Sequence, residues 1–396
     1  MSATVVSLAS TAAAALVLAH GAWWTLLNVV ALPRPRGDRP LPAAGRPSMV
    51  IVVPAHNEAE GIAACVASLC SSVEAYGPAR VLVVADNCDD GTAVAARDAG
   101  AAVIERTDPE RRGKAYALDF ALAHLGNTGP PEVVAFVDAD SSVTENFCEA
   151  VAAALRNQSA AVQVHYATGA GDQPLQRLRR NAFLLAHWSR QLGATRLGLG
   201  TGIKGNGMAL RWELASAGTG GHGVTEDAAM TLSLAERGIP VRFVPSATVQ
   251  GDMPGHYGAA QIQDARWEGG RFALVPQALR IAAGQLLRGR IATAAAAAEV
   301  GSLPLSILVG VGGLALLLAL AGAGNVTVAA AAMASLMLYV GTGLAAARAG
   351  WRDLEAFAHV PRFLAHKAAV YARVVLRGQP KTWQRTERKR PQNPGE

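Results

Sequence analysis

The apolar stretches near the two ends of the chain limit its fold more than any other feature. Val5 to Leu32 contains His20 and no formally charged residue. It is longer than the roughly 20 residues that a membrane-crossing helix needs. Ile291 to Ala323, interrupted by Glu299 and Pro304, and Val326 to Ala347 give a second and a third such stretch. In hydrocarbon the backbone must bond to itself, so each stretch is expected to be helical. A secretory signal peptide is the rival reading of the first. Its length, and the lack of any Lys or Arg before it, speak against that. Trp23 and Trp24 suit an interfacial aromatic belt.

The charges around these stretches give an orientation. Pro33 to Pro47, PRPRGDRPLPAAGRP, is a Pro- and Arg-rich linker, and Arg348, Arg352 and the tail RTERKR follow the last apolar stretch. Basic residues mark the cytoplasmic side, which places the middle of the chain in the cytoplasm at an inner membrane and the N-terminus outside. Gln261 to Arg290 and Leu354 to Leu376 mix apolar and basic residues and suit interfacial helices. From Phe272 onward, an ordinary surface helix fits the first equally well. Hydrophobic residues make up 51% of the 396, charged ones 17%, and the net charge is +6. No stripe of basic and aromatic residues marks a nucleic-acid partner. The four cysteines form no C-x-x-C pair and lie beside no histidine cluster, which argues against structural zinc and a disulfide framework.

Between the apolar ends, Ser48 to about Arg271 alternates short β-branched runs with helical ones. Met49–Val53, Arg80–Ala85, Ala101–Glu105 and Val133–Val137 read as strands. Ala59–Ser71, Gly91–Ala99 and Lys114–Leu125 read as the helices between them. Such alternation predicts an α/β fold with a mostly parallel sheet. Ala161–Tyr166, Val241–Val244 and Ala247–Gln250 add strands, some of them antiparallel.

Polar residues cluster where the strands end, which is where ligands of open α/β sheets bind. VVAFVDAD ends in Asp138 and Asp140. Two such carboxylates can hold a hard cation that bridges a diphosphate, and an Asp-rich turn is the local alternative. In PAHNE, Glu58 can accept from a ribose or base, and capping is the alternative. In DNCDDGT, Asp86 and Asp90 can do the same or cap a helix. Lys114 in RRGK opens a helix, where a cation is unfavourable unless an anion lies close. Asp227, in Thr225-Glu226-Asp227, can take a proton from an acceptor hydroxyl or simply begin a helix. In QDARW, Gln263, Arg266 and Trp267 share one helical face.

In this order, PAHNE, DNCDDGT, RRGK, DAD, TED and QDARW resemble the motifs of the membrane-embedded family 2 glycosyltransferases. That family includes cellulose, chitin-oligosaccharide and hyaluronan synthases and related exopolysaccharide enzymes. The resemblance implies a GT-A domain over residues 48–271, an interfacial helix over 272–290, two spanning helices over 291–347, and an interfacial helix with a basic tail over 348–396. It implies that Glu58, Asp86 and Asp90 hold the nucleoside, that Lys114 and Asp138 contact the diphosphate or donor sugar, and that Asp140 binds Mg2+ or Mn2+. Asp227 would be the general base, and Gln263, Arg266 and Trp267 would shape the diphosphate and acceptor site. Lys204, in the loop Ile203-Lys204-Gly205-Asn206-Gly207, departs from the family pattern and would tune acceptor choice. So does Asp86-Asn87, where relatives carry two adjacent aspartates. The implied reaction moves a sugar from a nucleotide-sugar donor, a UDP-sugar by preference, to a growing glycan with inversion. The alternatives are single transfer to a lipid or polyprenyl-phosphate acceptor, and a nonenzymatic membrane scaffold. The implied partners are the donor, a glycan or lipid acceptor and the bilayer, and a homo-oligomer is compatible with the sequence.

Overall fold

The computed structural model describes residues 2–33, 45–156, 159–169, 173–218, 226–251 and 257–377, with the backbone alone at 257–263, 266 and 377. Helix α1 (Ala3–Ala31) precedes the mixed domain. Strand β1 (Met49–Ala55), α2 (Ile62–Tyr76), β2 (Ala79–Asp86), α3 (Thr92–Asp98), β3 (Ala102–Arg106), α4 (Lys114–Thr128) and β4 (Val133–Phe136) follow in alternation. These are the predicted strands and helices, shifted by a few residues at their ends. The next elements are β5 (Ser141–Val143), α5 (Phe147–Arg156), β6 (Ala161–Thr168), α6 (Pro174–Phe183), a π-helical turn (Leu184–Ser189) and α7 (Arg190–Arg196). Then come β7 (Met208–Arg211), α8 (Trp212–Ala215), α9 (Glu226–Glu236) and β8 (Val241–Gly251).

The eight strands form one sheet in the order β3-β2-β1-β4-β7-β6-β8-β5. β1 to β4 pair in parallel, while β7 runs antiparallel to both β4 and β6. The chain therefore moves outward on one side of β1 and then returns to its other side, and this reversal opens a crevice at the strand ends. The central strands are buried on both faces, as their unbroken apolar runs require. One layer packs Ile51, Val53, Val83 and Ala135 under Val66, Leu69, Phe147 and Val151. The other packs Val50, Val52, Val134 and Phe136 under Leu118, Leu122 and Leu125.

Val241–Val244 and Ala247–Gln250, expected as two strands, are one strand, β8. Its pairing with β6 jumps from Val164↔Val244 to His165↔Thr248, so Pro245, Ser246 and Ala247 bulge out of the ladder. Pro245 has no N–H to give, which accounts for a bulge there. Gly207 leads into β7 at φ 70°, and a Cβ there would lie 2.6 Å from Val164 Cγ2 and 2.7 Å from Val249 Cγ2. Gly207→Ala is therefore expected to cost about 3 kcal/mol, from the left-handed backbone and overpacking together. A lower unfolding midpoint in detergent would show it.

The remaining helices are α10 (Tyr257–Leu287), α11 (Ile291–Gly301), α12 (Leu305–Leu320), α13 (Val326–Ala347), α14 (Trp351–Glu355) and, after a 3-10 turn (Ala356–His359), α15 (Val360–Arg377). Helices α1 and α13 are long and apolar enough to cross a membrane. The stretch expected as one further span is instead a pair, α11 and α12, bent by 70°. Pro304 sits at the break and cannot bond back into the first helix. Arg271 of α10 takes the freed carbonyls, with Nη2 2.9 Å from Glu299 O and 3.0 Å from Ser302 O, and Nε 3.1 Å from Val300 O. Helix α10 is continuous across residue 271, where the sequence suggested a boundary, and it runs through Pro276.

Trp24 is not in an interfacial belt. It is buried, stacked under Arg190 at 4.4 Å and against Tyr339 at 5.0 Å, while Trp23 alone is exposed. The mixed domain thus packs directly on the apolar helices. At their crossing, a Cβ on Gly193 of α7 would lie 2.0 Å from Leu27 O, so only glycine admits this approach.

Candidate active site

The ends of β1, β2 and β4 lie side by side, and the loops that leave them are knitted together. Asn57, held at φ 56°, donates to Asp89 Oδ1 at 2.6 Å and accepts from Asp89 N–H at 3.0 Å. Glu58 is placed by its N–H, which donates to Thr92 Oγ1 at 2.8 Å. Asp90 accepts from Thr92 N–H at 3.0 Å and Ala59 N–H at 3.2 Å. The local, capping role is therefore the one seen for Asp90. Asp86 is buried at the end of β2, and its Oδ1 accepts from Arg106 at 2.6 Å. Arg106 also bonds Asp108 and lies 5.8 Å from the Tyr116 ring centre. Sequence reasoning missed Arg106. Its signal was a cation ending β3, the neighbour of the strand that ends in Asp86.

Asp138, Asp140 and Lys114 form the centre of the crevice. The Lys114 ammonium bonds the Asp138 carboxylate and the Gly205 carbonyl. The anion required near this helix start is thus supplied by the protein itself. Although burial opposes charge on Lys114, Asp138, Glu226 and Asp227 raise its pKa above the ordinary value. Asp138 N–H donates to Asn206 Oδ1 at 3.1 Å. Asn206 Nδ2 donates to Ser141 Oγ at 2.8 Å, and that hydroxyl donates to Asp140 Oδ1 at 3.2 Å. Asn206, fully buried, therefore sets the spacing of both aspartates. The sequence alone gives this loop residue no role.

Asp227 lies in the first turn of α9, across the Ile203–Gly207 loop. Its Oδ1 accepts from Ala228 N–H at 2.8 Å. A Cβ on Gly205 would lie 3.6 Å from Asp227 Cβ, so the glycine lets the loop close on the carboxylate. Burial raises the Asp227 pKa, and Lys204 and Lys114 restrain the rise. Burial likewise pushes neighbouring Glu226 up to about 6. Thr225 lies outside the described residues. Lys204 is held by its N–H, which donates to Gln163 Oε1 at 2.8 Å, and burial pulls its ammonium down to about 8.

The QDARW segment is on α10. The side chains of Gln263 and Arg266 lie outside the described residues. Trp267 is half-buried, 6.4 Å from Phe183 between ring centres. Asp264, given no role by the sequence, is the fixed point of the segment. It is buried, accepts from Arg179 of α6 at 2.9 Å, and meets Lys367 at 3.1 Å and His366 at 3.5 Å, both from α15. Despite burial, a hydrogen bond from His366 and the charges of Arg179 and Lys367 pull its pKa down to about 2. Lys367 also bonds Glu268 at 3.1 Å. Arg190, next to Lys204 electrostatically, pairs with Glu299 of α11 at 3.1 Å.

The crevice thus has two aspartates, a lysine, a half-buried candidate base and an aromatic edge on a mixed α/β sheet of GT-A type. Residues 47–270 match the family described as Glycosyltransferase like family 2. The chain belongs to that family and is a glycosyltransferase. Comparison with curated proteins gives no match. Among solved structures, the mannosyltransferase PcManGT from Pyrobaculum calidifontis in complex with GDP-Man and Mn2+ is 23% identical. That match covers 85% of this chain and 98% of that one, with a TM-score of 0.52, and it shares the fold. Glucosyl-3-phosphoglycerate synthase from Mycobacterium tuberculosis, in complex with Mn2+, uridine-diphosphate and phosphoglyceric acid, is 19% identical. It covers 59% of this chain and 80% of its own, with a TM-score of 0.41.

Proposed function

We propose that the protein transfers a sugar from a nucleotide-sugar donor to a growing oligosaccharide or polysaccharide at the cytoplasmic face of an inner membrane. The observation that carries this reading is the closing of the Gly205–Gly207 loop on Lys114, Asp138 and Asp227 at once. A candidate base, a diphosphate-facing lysine and a carboxylate pair then surround one space. The base of the nucleotide would lie over Glu58 and Asp86, with Asp90 and Arg106 bracing the wall.

In this reading the acceptor hydroxyl gives its proton to Asp227 as its oxygen bonds to the anomeric carbon. The bond from that carbon to the diphosphate oxygen breaks on the opposite side, and the configuration inverts. Lys114 offers its charge to the departing diphosphate, with Arg266 and Gln263 assigned to the same group by the family resemblance. Trp267 would wall the acceptor side, and Lys204, whose charge acts on Asp227, would tune acceptor choice.

A divalent cation fits the carboxylate pair. Asp138 and Asp140 are hard oxygen donors two residues apart at a strand end, which suits Mg2+ or Mn2+. Among the described residues no group of three or more His, Cys, Asp or Glu could hold a metal ion alone, so the diphosphate would supply further oxygens. When bound, the cation neutralises charge developing on the leaving group.

The test is nucleotide release by the protein in nanodiscs from a panel of UDP- and GDP-sugars, with the product sized. Removing divalent cations with EDTA, or Asp140→Asn, is expected to lower release about 100-fold or more, for a contribution of several kcal/mol. Undiminished release in EDTA would remove the metal from the reading. A single-sugar lipid product would favour the second reading, transfer to a lipid or polyprenyl-phosphate acceptor. The bent α11–α12 pair supports that alternative, because the two long helices and one broken pair among the described residues make a narrow wall for a polymer channel.

A further inference from the structure

The π-helical turn between α6 and α7 carries a histidine that the transfer chemistry leaves unused. His187 Nδ1 is buried with no hydrogen-bond partner among the described residues. Two rings lie against His187, and a third joins them through Phe183. Phe183 lies 4.2 Å from His187 between centres, with the planes 40° apart, and Tyr166 lies 5.7 Å away. Phe183 meets Tyr166 edge-on at 5.5 Å and reaches Trp267 at 6.4 Å. The rings come from β6, the end of α6, the π turn and α10, so the cluster is a product of the tertiary fold.

This aromatic wall borders the active site. A Cβ on Gly251 would lie 3.1 Å from Tyr166 Oη and 3.2 Å from Ser141 Oγ, so Tyr166 and Ser141 flank the same glycine. Ser141 in turn bonds Asp140. On its other side, His187 is close enough to Lys204, Arg190 and Arg271 to feel their charge. Burial and these cations hold its pKa well below the ordinary value, so the ring is neutral. A neutral imidazole has one N–H donor and one bare acceptor nitrogen. A buried polar atom without a partner is unfavourable, and such an atom in a native fold calls for an explanation. A π turn widens a helix by one residue and is frequent at functional sites.

We propose that His187 recognises the acceptor saccharide, bonding a sugar hydroxyl through Nδ1 once the side chains that cover this atom move aside, while the sugar lies against the Tyr166–Phe183–Trp267 wall. The proposal rests on the transferase reading above and names a residue for its acceptor class. Flat apolar rings with one buried hydrogen-bonding atom match a pyranose, which has apolar C–H faces and hydroxyl edges. An alkyl chain would leave Nδ1 without a partner.

The test is binding, which reads out even if no donor supports turnover. Protein carrying 15N-labelled histidine in nanodiscs is titrated with disaccharides of glucose, galactose, mannose and N-acetylglucosamine. The His187 Nδ1 resonance is assigned by its loss in His187→Phe. At least one disaccharide is expected to shift that resonance. Its Kd, followed by tryptophan fluorescence, is expected to rise about 10-fold in His187→Phe, the loss of one hydrogen bond. His187→Asn, whose amide stands near the Nδ1 position, is expected to restore binding to within a few fold. The proposal is overturned if no disaccharide shifts the resonance, or if His187→Phe binds as tightly as the native protein. It is also overturned if octyl cyclohexyl ether, which has no hydroxyl, shifts Nδ1 as the sugars do, which would mark a lipid-chain site instead. Failure of nucleotide release with every donor would count against the transferase reading and leave these binding outcomes readable.

Discussion

Asp227→Asn is expected to lower sugar transfer about 1,000-fold, the usual scale for removing a positioned general base. The substitution keeps the size of the side chain and its acceptance of the Ala228 N–H bond, made at 2.8 Å in the native protein. Donor binding should therefore survive, and KM for the donor should change much less than kcat. The pH profile gives a second readout. Burial raises the pKa of Asp227, and the adjacent Glu226 is pushed up to about 6. A base works only when deprotonated, so kcat should fall on the acid side at a pH above the usual carboxylate range. The Asn variant's residual activity should be far less sensitive over that window. Equal turnover by the Asn variant would show that Asp227 is not the base, and transfer would then need another proton acceptor.

Asp264→Asn is expected to destabilise the protein by about 3–5 kcal/mol, because it leaves Arg179 and Lys367 facing a buried site without their shared carboxylate. The effect would be read as a lower thermal midpoint in detergent. Acid should act in the same direction. The folded-state pKa of Asp264 is pulled down to about 2, below its ordinary 3.8. A depressed carboxylate contributes stability above its unfolded pKa and loses it as pH falls through the folded one. About 2 kcal/mol should therefore disappear between pH 4 and pH 2 in the native protein and not in the Asn variant. A flat stability difference across that range would show that the Arg179, His366 and Lys367 cluster does not depend on the carboxylate charge.

The contrast between these two aspartates shows how far the sequence could be read. Asp227 was legible because the position of its motif in an ordered series implied a role. Asp138, Asp140 and Lys114 were legible for the same reason, and because strands that are buried on both faces print as unbroken apolar runs. Asp264 lay inside a quoted motif and was still missed. Its partners are 85 residues before it and about 100 after it, and no local pattern records such a meeting. Arg106 with Asp86, and Arg190 with Glu299, were invisible for that reason. Strands β5 and β7 have three and four residues, too short for a period to show, and β7 is defined by pairing with β4 and β6 rather than by its own sequence. The π turn is hidden similarly, since Leu184–Ser189 has the composition of an ordinary helix. Pro245 did mark the bulge in β8, though as an apparent gap between two strands.

In a bilayer, the 70° break between α11 and α12 would have a consequence for the surrounding lipid. Helix α12 has 16 residues and is about 24 Å long at 1.5 Å per residue, against a hydrocarbon thickness of about 30 Å. A bilayer that meets so short an apolar segment thins locally or tilts it. The thinned side would be the side of Glu299 and Ser302, where Arg271 holds the frayed end of α11. Headgroups drawn down at that point would lie within reach of Lys204 and the base. The depth of the water–lipid boundary beside the crevice would then be set by the length of one helix, and inserting one helical turn into α12 would raise that boundary away from the reacting groups.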